Sequence, residues 1–210
     1  MANLVTLIRF LLLFVLVAMA YRAPPWAQLA DMPLLVLIIV LDAVDGYVAR
    51  RRGESSVFGS ILDIAVDRVV ENVLWIVLAH LQLIPIWVAL VFITRSLIVD
   101  SIRCQGASAG QTAFSMMRTS WGSFLVAGRF MRALYGTLKA VTFGWIFFIQ
   151  PWPELFPQVW LQWSAYLHSI TLTLVYACVA LCLLRGIPVV VEFALVARPQ
   201  LQSRPSRGPQ

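Results

Sequence analysis

Long apolar runs, separated by short polar connections, dominate the chain. A helix that crosses a bilayer needs about 20 mostly apolar residues, and only helices or closed barrels satisfy their backbone groups in lipid. The strict alternation of apolar and polar residues that marks a barrel strand is not present in these runs. The pattern therefore predicts six membrane-spanning helices, at residues 4–21, 32–50, 57–80, 84–103, 134–150 and 164–185.

The composition agrees with this prediction. Hydrophobic residues make up 60% of the 210 residues and charged residues only 12%, whereas ordinary soluble domains carry about 25% charged residues. We expect one all-α integral membrane domain over residues 1–197, built as a six-transmembrane-helix bundle. We expect residues 198–210, which are rich in Pro and Arg, to form a disordered basic tail. Residues 187–197 either extend the last span beyond Pro188 or lie at the membrane interface.

The basic residues are distributed unevenly between the two sides of the predicted membrane. The net charge is +6. With the N-terminus placed in the cytoplasm, nearly every basic residue of the connections falls on the cytoplasmic side, and only Arg22 falls on the other. Such an excess is typical of cytoplasmic loops. The sequence thus predicts a multi-pass protein of the bacterial inner membrane or an equivalent membrane, with the lipid bilayer and no nucleic acid among its partners.

Four aspartates lie in the second and third runs, in the stretch DAVDGYVARRRGESSVFGSILDIAVD at residues 42–67. Asp42 and Asp45 are three residues apart and Asp63 and Asp67 are four apart, so each pair shares one helix face. The connection between the two helices is short, which makes them antiparallel neighbours. The spacing predicts that the four carboxylates converge inside the bundle, one or two turns below the cytoplasmic surface.

Ionised carboxylates at this depth require compensation, because each costs at least about 2.5 kcal/mol in a membrane. Divalent cations that prefer oxygen ligands are one solution, and pairs of such ions serve phosphoryl chemistry. Two alternatives stay open at this point. The aspartates form ion pairs with Arg9, Arg68 or Arg95, or they line a proton or cation pathway in a transporter or channel.

Eight residues at fixed spacing form one motif: Asp42, Asp45, Gly46, Ala49, Arg50, Gly59, Asp63 and Asp67. At every position this motif resembles the signature of the CDP-alcohol phosphotransferase family. The opening segment ANLVTLIRF is similar to the family's Asn-x2-Thr-x2-Arg, with Asn3, Thr6 and Arg9 at those positions. The six spans expected for the family cover nearly the whole chain.

The resemblance implies an enzyme that binds CDP-diacylglycerol and two divalent ions, Mg²⁺ or Mn²⁺. It also implies transfer of the phosphatidyl group to the hydroxyl of a small polar alcohol, release of CMP at the cytoplasmic side, and a homodimer. By this resemblance the metal ligands are Asp42, Asp45, Asp63 and Asp67, and Asp67 is also the general base. The CDP-binding residues implied are Asn3, Thr6, Gly46, Ala49, Arg50, Ser56 and Gly59.

The fourth and fifth spans resemble the phosphatidylglycerophosphate synthase branch of the family, with two departures. That branch shows Arg-Glu in the fourth span, where this chain has Arg95-Ser96 and so lacks the glutamate. The branch motif Gly-Lys-x-Lys-Thr corresponds here to GTLKA at residues 136–140, which keeps the glycine and the second lysine. The resemblance favours glycerol-3-phosphate as the acceptor.

Basic residues near the cytoplasmic end also favour an anionic acceptor, and we predict that Arg95, Arg103 and Lys139 bind it. Arg95 is the most informative of them, because an unpaired guanidinium within a span is costly. Glu71 lies four residues after Asp67 and either faces the same pocket or has a packing role. Inositol phosphate, serine or another alcohol is the alternative acceptor, and a transporter or channel with an intramembrane cation site is the alternative of another class.

Overall fold

A computed structural model of the chain describes residues 2–52, 57–108, 124–126 and 128–202. These residues form helices and no strand. The all-α fold class is therefore confirmed for these residues. The helices are α1 (Ala2–Arg22), α2 (Pro25–Gln28), α3 (Asp31–Arg52), α4 (Val57–His80), α5 (Ile86–Ser108), α6 (Arg129–Ile149), α7 (Trp152–Leu155) and α8 (Pro157–Gln202). Each of the six predicted segments overlaps one of the six long helices, but the last helix is about twice as long as the predicted segment 164–185.

Prolines and one left-handed residue set several helix boundaries. Pro24 and Pro25 follow α1, and Pro85 precedes α5, where proline cannot supply the backbone N–H of a helix interior. After α4, Gln82 adopts a φ of 59°, and the N–H of Leu83 donates to the carbonyl oxygen of Leu78 at 3.0 Å. This left-handed residue and long backward hydrogen bond end α4 as a Schellman motif does.

Among the described residues, three helical stretches are apolar and long enough to cross a membrane. These candidate spans are Val5–Arg22, Pro25–Val44 and Pro157–Leu195. Helix α4 carries Asp63, Asp67, Arg68 and Glu71 among its first 15 of 24 residues, so its apolar character is lower there. The described helices thus agree with a membrane protein.

Helix α8 runs without a break past Pro188 to Gln202. Residues 187–197 therefore extend the last helix, since a proline removes only one backbone hydrogen bond and membrane helices tolerate it. Residues 198–202, assigned to the tail above, are also helical, and 203–210 lie outside the described residues. At 1.5 Å per residue the 46 residues of α8 span about 69 Å, more than twice the ~30 Å hydrocarbon core of a bilayer.

The six long helices form a closed ring. Helix α1 packs against α3 and α4, α3 against α6, α6 against α8, α8 against α5, and α5 against α4. Inside the ring, the fully buried Trp75 indole stacks on Phe92 with ring centroids 4.1 Å apart and contacts Phe143 at 4.5 Å. Because α4 carries Trp75 near one end and the aspartates near the other, this aromatic group anchors the helix that positions the acidic residues.

Large apolar side chains cover the outer surface of the ring. Each long helix exposes at least one of them, as shown by Leu11, Val40, Ile64, Leu97, Val141 and Leu161. A soluble monomer rarely exposes apolar surface on every side, because contiguous apolar patches promote association. The outward side chains are therefore suited to contact lipid.

Replacing Trp75 by Ala is expected to destabilise the fold by about 3 kcal/mol, because a large buried aromatic leaves a cavity. For a chain of this size the melting temperature in detergent should fall by roughly 6–12 °C. Trp163→Ala is the matched control, since Trp163 is half exposed. Equal melting temperatures for the two variants would contradict this account of the core.

Candidate active site

Three of the four aspartates meet between two helices. Asp42 comes from α3, and Asp63 and Asp67 come from successive turns of α4. One carboxylate oxygen from each lies within 4.8 Å of the others. The i,i+4 spacing on α4 places two carboxylates on the face that packs toward α1. The structure thus brings together three of the carboxylates that the sequence places on common faces.

Arg9 of α1 contacts all three carboxylates. Its Nη1 lies 2.5 Å from Asp42 Oδ1 and 3.3 Å from Asp63 Oδ1, and its Nη2 donates to Asp67 Oδ1 at 2.7 Å. The Arg9 side chain is only 3% exposed, whereas the three aspartates are 42–48% exposed. The guanidinium therefore lies beneath the cluster, and its charge offsets the repulsion among the acids. Of the ion pairs considered above, the structure contains those with Arg9.

The remaining motif residues are described to different extents. Gly46, Ala49 and Arg50 lie with Asp45 on the helical backbone of α3, but the side chains of 45–50 are outside the described residues, as is that of Asn3. Ser56 lies in the undescribed segment 53–56. Thr6 is buried one turn before Arg9, and Gly59 lies one turn before Asp63 on α4. Their predicted roles in binding CDP stay predictions.

A cavity of about 460 Å³ opens beside the aspartate cluster. Helices α1, α3, α4 and α6 supply its walls. Its polar lining residues are Arg9, Asp42, Asp67, Arg68, Glu71 and Lys139. The cavity therefore joins the acidic cluster to a group of cations, as a site for a phosphate-bearing substrate requires.

Five charged residues of α4, α5 and α6 form a continuous chain of ion pairs, which we call the charge ladder: Lys139, Glu71, Arg68, Asp100 and Arg103. Lys139 Nζ lies 2.8 Å from Glu71 Oε2, which lies 3.5 Å from Arg68 Nη1. Arg68 Nη2 donates to Asp100 Oδ1 at 3.2 Å, and its Nε lies 2.7 Å from Oδ2 without hydrogen-bond geometry. Arg103 Nη1 is 3.9 Å from Asp100 Oδ1. Glu71 thus faces the cavity.

A second group of cations surrounds Tyr135 of α6. Lys139 Nζ lies 4.4 Å from the centre of the Tyr135 ring, and Arg185 Cζ of α8 lies 5.4 Å from it. Arg185 Nη2 donates to the carbonyl oxygen of Val126 at 3.3 Å. Its Nε and Nη1, with Nε of Arg95, are buried without a hydrogen-bond partner among the described residues. Buried guanidinium N–H groups of this kind are available to an anion.

Arg185 is a candidate that the sequence analysis did not select. Its signal is weak, because an arginine at the end of an apolar run also fits an ordinary cytoplasmic anchor. The structure distinguishes it by burial and by the approach of Arg95 to Gly186. A Cβ at Gly186 would lie 2.8 Å from Arg95 Cγ, so the glycine permits α8 to pack closely against the Arg95 side chain.

The aspartate cluster suits a hard divalent ion. Magnesium and calcium are held by oxygen ligands at about 2.0–2.6 Å, so one ion can reach oxygens separated by up to about 5 Å. The carboxylate oxygens of Asp42, Asp63 and Asp67 satisfy this limit. The donor set contains no sulfur or nitrogen ligand, which favours Mg²⁺ or Mn²⁺ over softer metals.

An apolar groove of about 800 Å³ lies between α3 and α6. It shares Ile39, Gly136 and Ala140 with the cavity beside the aspartates, so the two spaces adjoin. A Cβ added at Gly136 or Gly144, both of which line the groove, would meet no atom within 4 Å. These glycines are thus not needed for helix contact, although glycine in a helix interior costs about 1 kcal/mol relative to alanine.

Comparison with known proteins connects this site to one family. The family model described as CDP-alcohol phosphatidyltransferase matches residues 1–175. A CDP-diacylglycerol–glycerol-3-phosphate 3-phosphatidyltransferase of Pseudomonas fluorescens is 28% identical over 131 residues, which cover 61% of this chain and 67% of that protein. The Bacillus subtilis protein of the same name is 32% identical over 93 residues, covering 44% and 48%.

A relative with a different acceptor in its name also matches. The archaetidylinositol phosphate synthase of Aeropyrum pernix is 35% identical over 97 residues, which cover 45% of this chain and 50% of that protein. The chain therefore spans about half the length of two of these curated relatives and two thirds of the third.

Arg9→Gln is expected to destabilise the protein in the presence of EDTA by about 1–3 kcal/mol, because three carboxylates lose their shared counter-charge. Mn²⁺ should recover part of this loss, so the metal-induced rise in melting temperature should be larger in Arg9→Gln than in the unmodified protein. The matched control is Arg22→Gln, because Arg22 is exposed at the far end of the same helix. The same metal-induced rise in all three proteins would refute a role for Arg9 at the cluster.

Proposed function

The chain belongs to the CDP-alcohol phosphatidyltransferase family, whose model covers residues 1–175, and we propose that it transfers the phosphatidyl group of CDP-diacylglycerol to a small polar acceptor. The observation that carries this proposal is the meeting of Asp42, Asp63 and Asp67 at a cavity that also contains cations. Carboxylates that can bind metal ions and cationic side chains that can bind phosphate then lie in one site. Phosphoryl transfer from a diphosphate to an alcohol requires both.

The proposed roles of the acids follow the family motif. Asp42, Asp45, Asp63 and Asp67 hold two divalent ions, Mg²⁺ or Mn²⁺, which when bound neutralise the diphosphate charge. Asp67 accepts the proton of the acceptor hydroxyl as general base. The acceptor oxygen forms a bond to the lipid-side phosphorus while the bond from that phosphorus to the CMP oxygen breaks, and CMP leaves with the electron pair.

The nucleotide is assigned to the cytoplasmic ends of α1, α3 and α4. Small residues at positions 46, 49 and 59 permit close approach to the backbone, and Arg50 supplies a guanidinium for phosphate. The full set proposed to bind CDP is Asn3, Thr6, Gly46, Ala49, Arg50, Ser56 and Gly59.

We assign glycerol-3-phosphate as the acceptor. The cations around Tyr135 support an anionic acceptor, because two positive charges lie near one ring and the guanidinium of Arg185 keeps buried N–H groups that the described residues leave unpartnered. Arg95, Arg103 and Lys139 are the residues proposed from the sequence, and Arg185 is added from the structure because of its unpartnered N–H groups. The names of the Pseudomonas and Bacillus relatives agree with this acceptor. The Aeropyrum relative favours inositol phosphate as the second candidate, and that acceptor is an anion too.

The six long helices are proposed to cross the membrane, with the N-terminus and the active site in the cytoplasm. The apolar outer surface and the three candidate spans support this placement. We assign the protein to the bacterial inner membrane or an equivalent one, as a homodimer by analogy with the family. One acyl chain of the donor is proposed to lie in the α3–α6 groove, because that groove is apolar and adjoins the cavity.

Detergent-purified protein is expected to release CMP from CDP-diacylglycerol with Mg²⁺ or Mn²⁺ when glycerol-3-phosphate is supplied. Asp67→Asn should lower this rate by about a thousandfold, because the amide cannot accept the hydroxyl proton, and EDTA should abolish it. Serine, inositol and inositol phosphate are each tested in separate assays as alternative acceptors. Glu154→Gln is the control, since Glu154 is exposed on α7. A protein that binds metal but releases no CMP with any acceptor would support the transporter alternative.

Gly144→Leu should select against long acyl chains. Gly144 lies eight residues beyond Gly136, about 12 Å along the helix axis. A Cβ at Gly144 would meet no atom within 4 Å, so a leucine side chain there is expected to extend into the far part of the groove and fill it. We expect kcat/KM for the dipalmitoyl donor to fall about tenfold relative to the dioctanoyl donor. Gly144→Ala should preserve the wild-type ratio. An unchanged ratio in Gly144→Leu would show that the acyl chain lies elsewhere.

A further inference from the structure

Asp100 lies where it can replace the glutamate that this chain lacks. In the phosphatidylglycerophosphate synthase branch that this chain resembles, a glutamate follows the arginine that corresponds to Arg95. In this chain the position is occupied by Ser96, which is buried. Asp100 is four residues further along α5, and Ser96 Oγ donates to Asp100 Oδ2 at 3.4 Å. Residues 96 and 100 therefore share one helix face. An acid therefore lies on the same face of α5 about one turn beyond the position of the branch glutamate that the resemblance implies.

Asp100 acts on the cavity from outside it. It does not line the cavity, but it contacts Arg68, which does. The two residues are 32 apart in the sequence and lie on different helices. Arg68 Nη2 donates one hydrogen bond to Asp100 Oδ1, and the second oxygen of Asp100 forms an ion pair with Arg68 Nε at 2.7 Å. This contact at two nitrogens restricts the direction of the guanidinium.

We propose that Asp100 is a positioning residue for the anionic acceptor and acts by holding Arg68 at the cavity wall. The inference rests on the proposed function for its ligand, an alcohol that carries a phosphate. Arg68 directly follows Asp67 in the sequence. Within the charge ladder Arg68 contacts two carboxylates, Asp100 at 2.7 Å and Glu71 at 3.5 Å. Glu71 also serves Lys139 at 2.8 Å. Arg68 and Lys139 thus share one oxygen of Glu71, and Asp100 supplies Arg68 with a second carboxylate of its own.

The proposal makes a prediction opposite in sign to simple electrostatics. Asp100→Asn removes a negative charge near the cavity, and Coulomb attraction alone would then strengthen the binding of an anion. If Asp100 acts by holding Arg68, the same substitution weakens binding, because the guanidinium loses its direction. The sign of the change therefore separates positioning from net charge.

The test is a titration of the full-length, Mn²⁺-loaded protein in detergent with glycerol-3-phosphate and, separately, with inorganic phosphate. Binding is measured from the rise in melting temperature. We expect the half-saturating concentration of both probes to rise about tenfold in Asp100→Asn. The double variant Ser96→Glu/Asp100→Ser, which moves the carboxylate back by one turn, should bind within about twofold of the unmodified protein. Glu154→Gln is the control.

Binding that is unchanged or tighter in Asp100→Asn would overturn the proposal. Loss of binding in the double variant would overturn the equivalence of positions 96 and 100. If Asp100→Asn does not fold, the double variant and Asp100→Glu test the proposal instead, because both keep a carboxylate on this helix face. The proposal then stands only if both variants fold and bind glycerol-3-phosphate and inorganic phosphate.

CMP release separates this inference from the proposed function. In the unmodified protein, phosphate binding that depends on Asp100 without any CMP release would refute the proposed reaction and retain the positioning role. If the unmodified protein releases CMP and Asp100→Asn has the same KM for glycerol-3-phosphate, the proposed reaction is retained and the positioning role of Asp100 is refuted. For a positioning role we expect the KM for the acceptor to rise about tenfold while kcat stays within about twofold.

Discussion

Arg9 provides the positive charge on which the acidic site depends. Three carboxylates that come within 4.8 Å of one another repel each other strongly where water is scarce. A single guanidinium beneath them contacts all three, because its planar fork presents several N–H groups in different directions. Helix α1 must therefore pack against both α3 and α4, and this contact determines where the first helix lies in the ring.

The closed ring of helices places charged side chains in its interior and apolar side chains on its outer surface. Each long helix turns apolar side chains outward, while four of them direct acids or bases into the shared cavity. Within the charge ladder every acid contacts two bases, so the cations of α4, α5 and α6 are held together across helix boundaries. The aromatic group around Trp75 keeps the other end of α4 in place.

Membership of the family accounts for the acidic half of the site but not for the acceptor. The printed names of the relatives differ, since one contains glycerol-3-phosphate and the other contains archaetidylinositol phosphate. The cationic wall is where this chain departs from the branch it resembles. Ser96 replaces an acid, and Asp100 supplies one on the same helix face. Arg185 and Arg95 add N–H groups that the described residues leave unpartnered.

The amino-acid sequence by itself determined the all-α fold class, the approximate location of the six long helices and the shared face of Asp63 and Asp67 on α4. These features follow from apolar run length and from the 3.6-residue period within one helix. Only the tertiary structure decided that Arg9 meets Asp63 and Asp67, which are 54 and 58 residues away, and that Asp100 holds Arg68. Periodicity sets the angle of a side chain around its own helix. The rotation of one helix relative to its neighbours, which selects these partners, comes from packing around the whole ring.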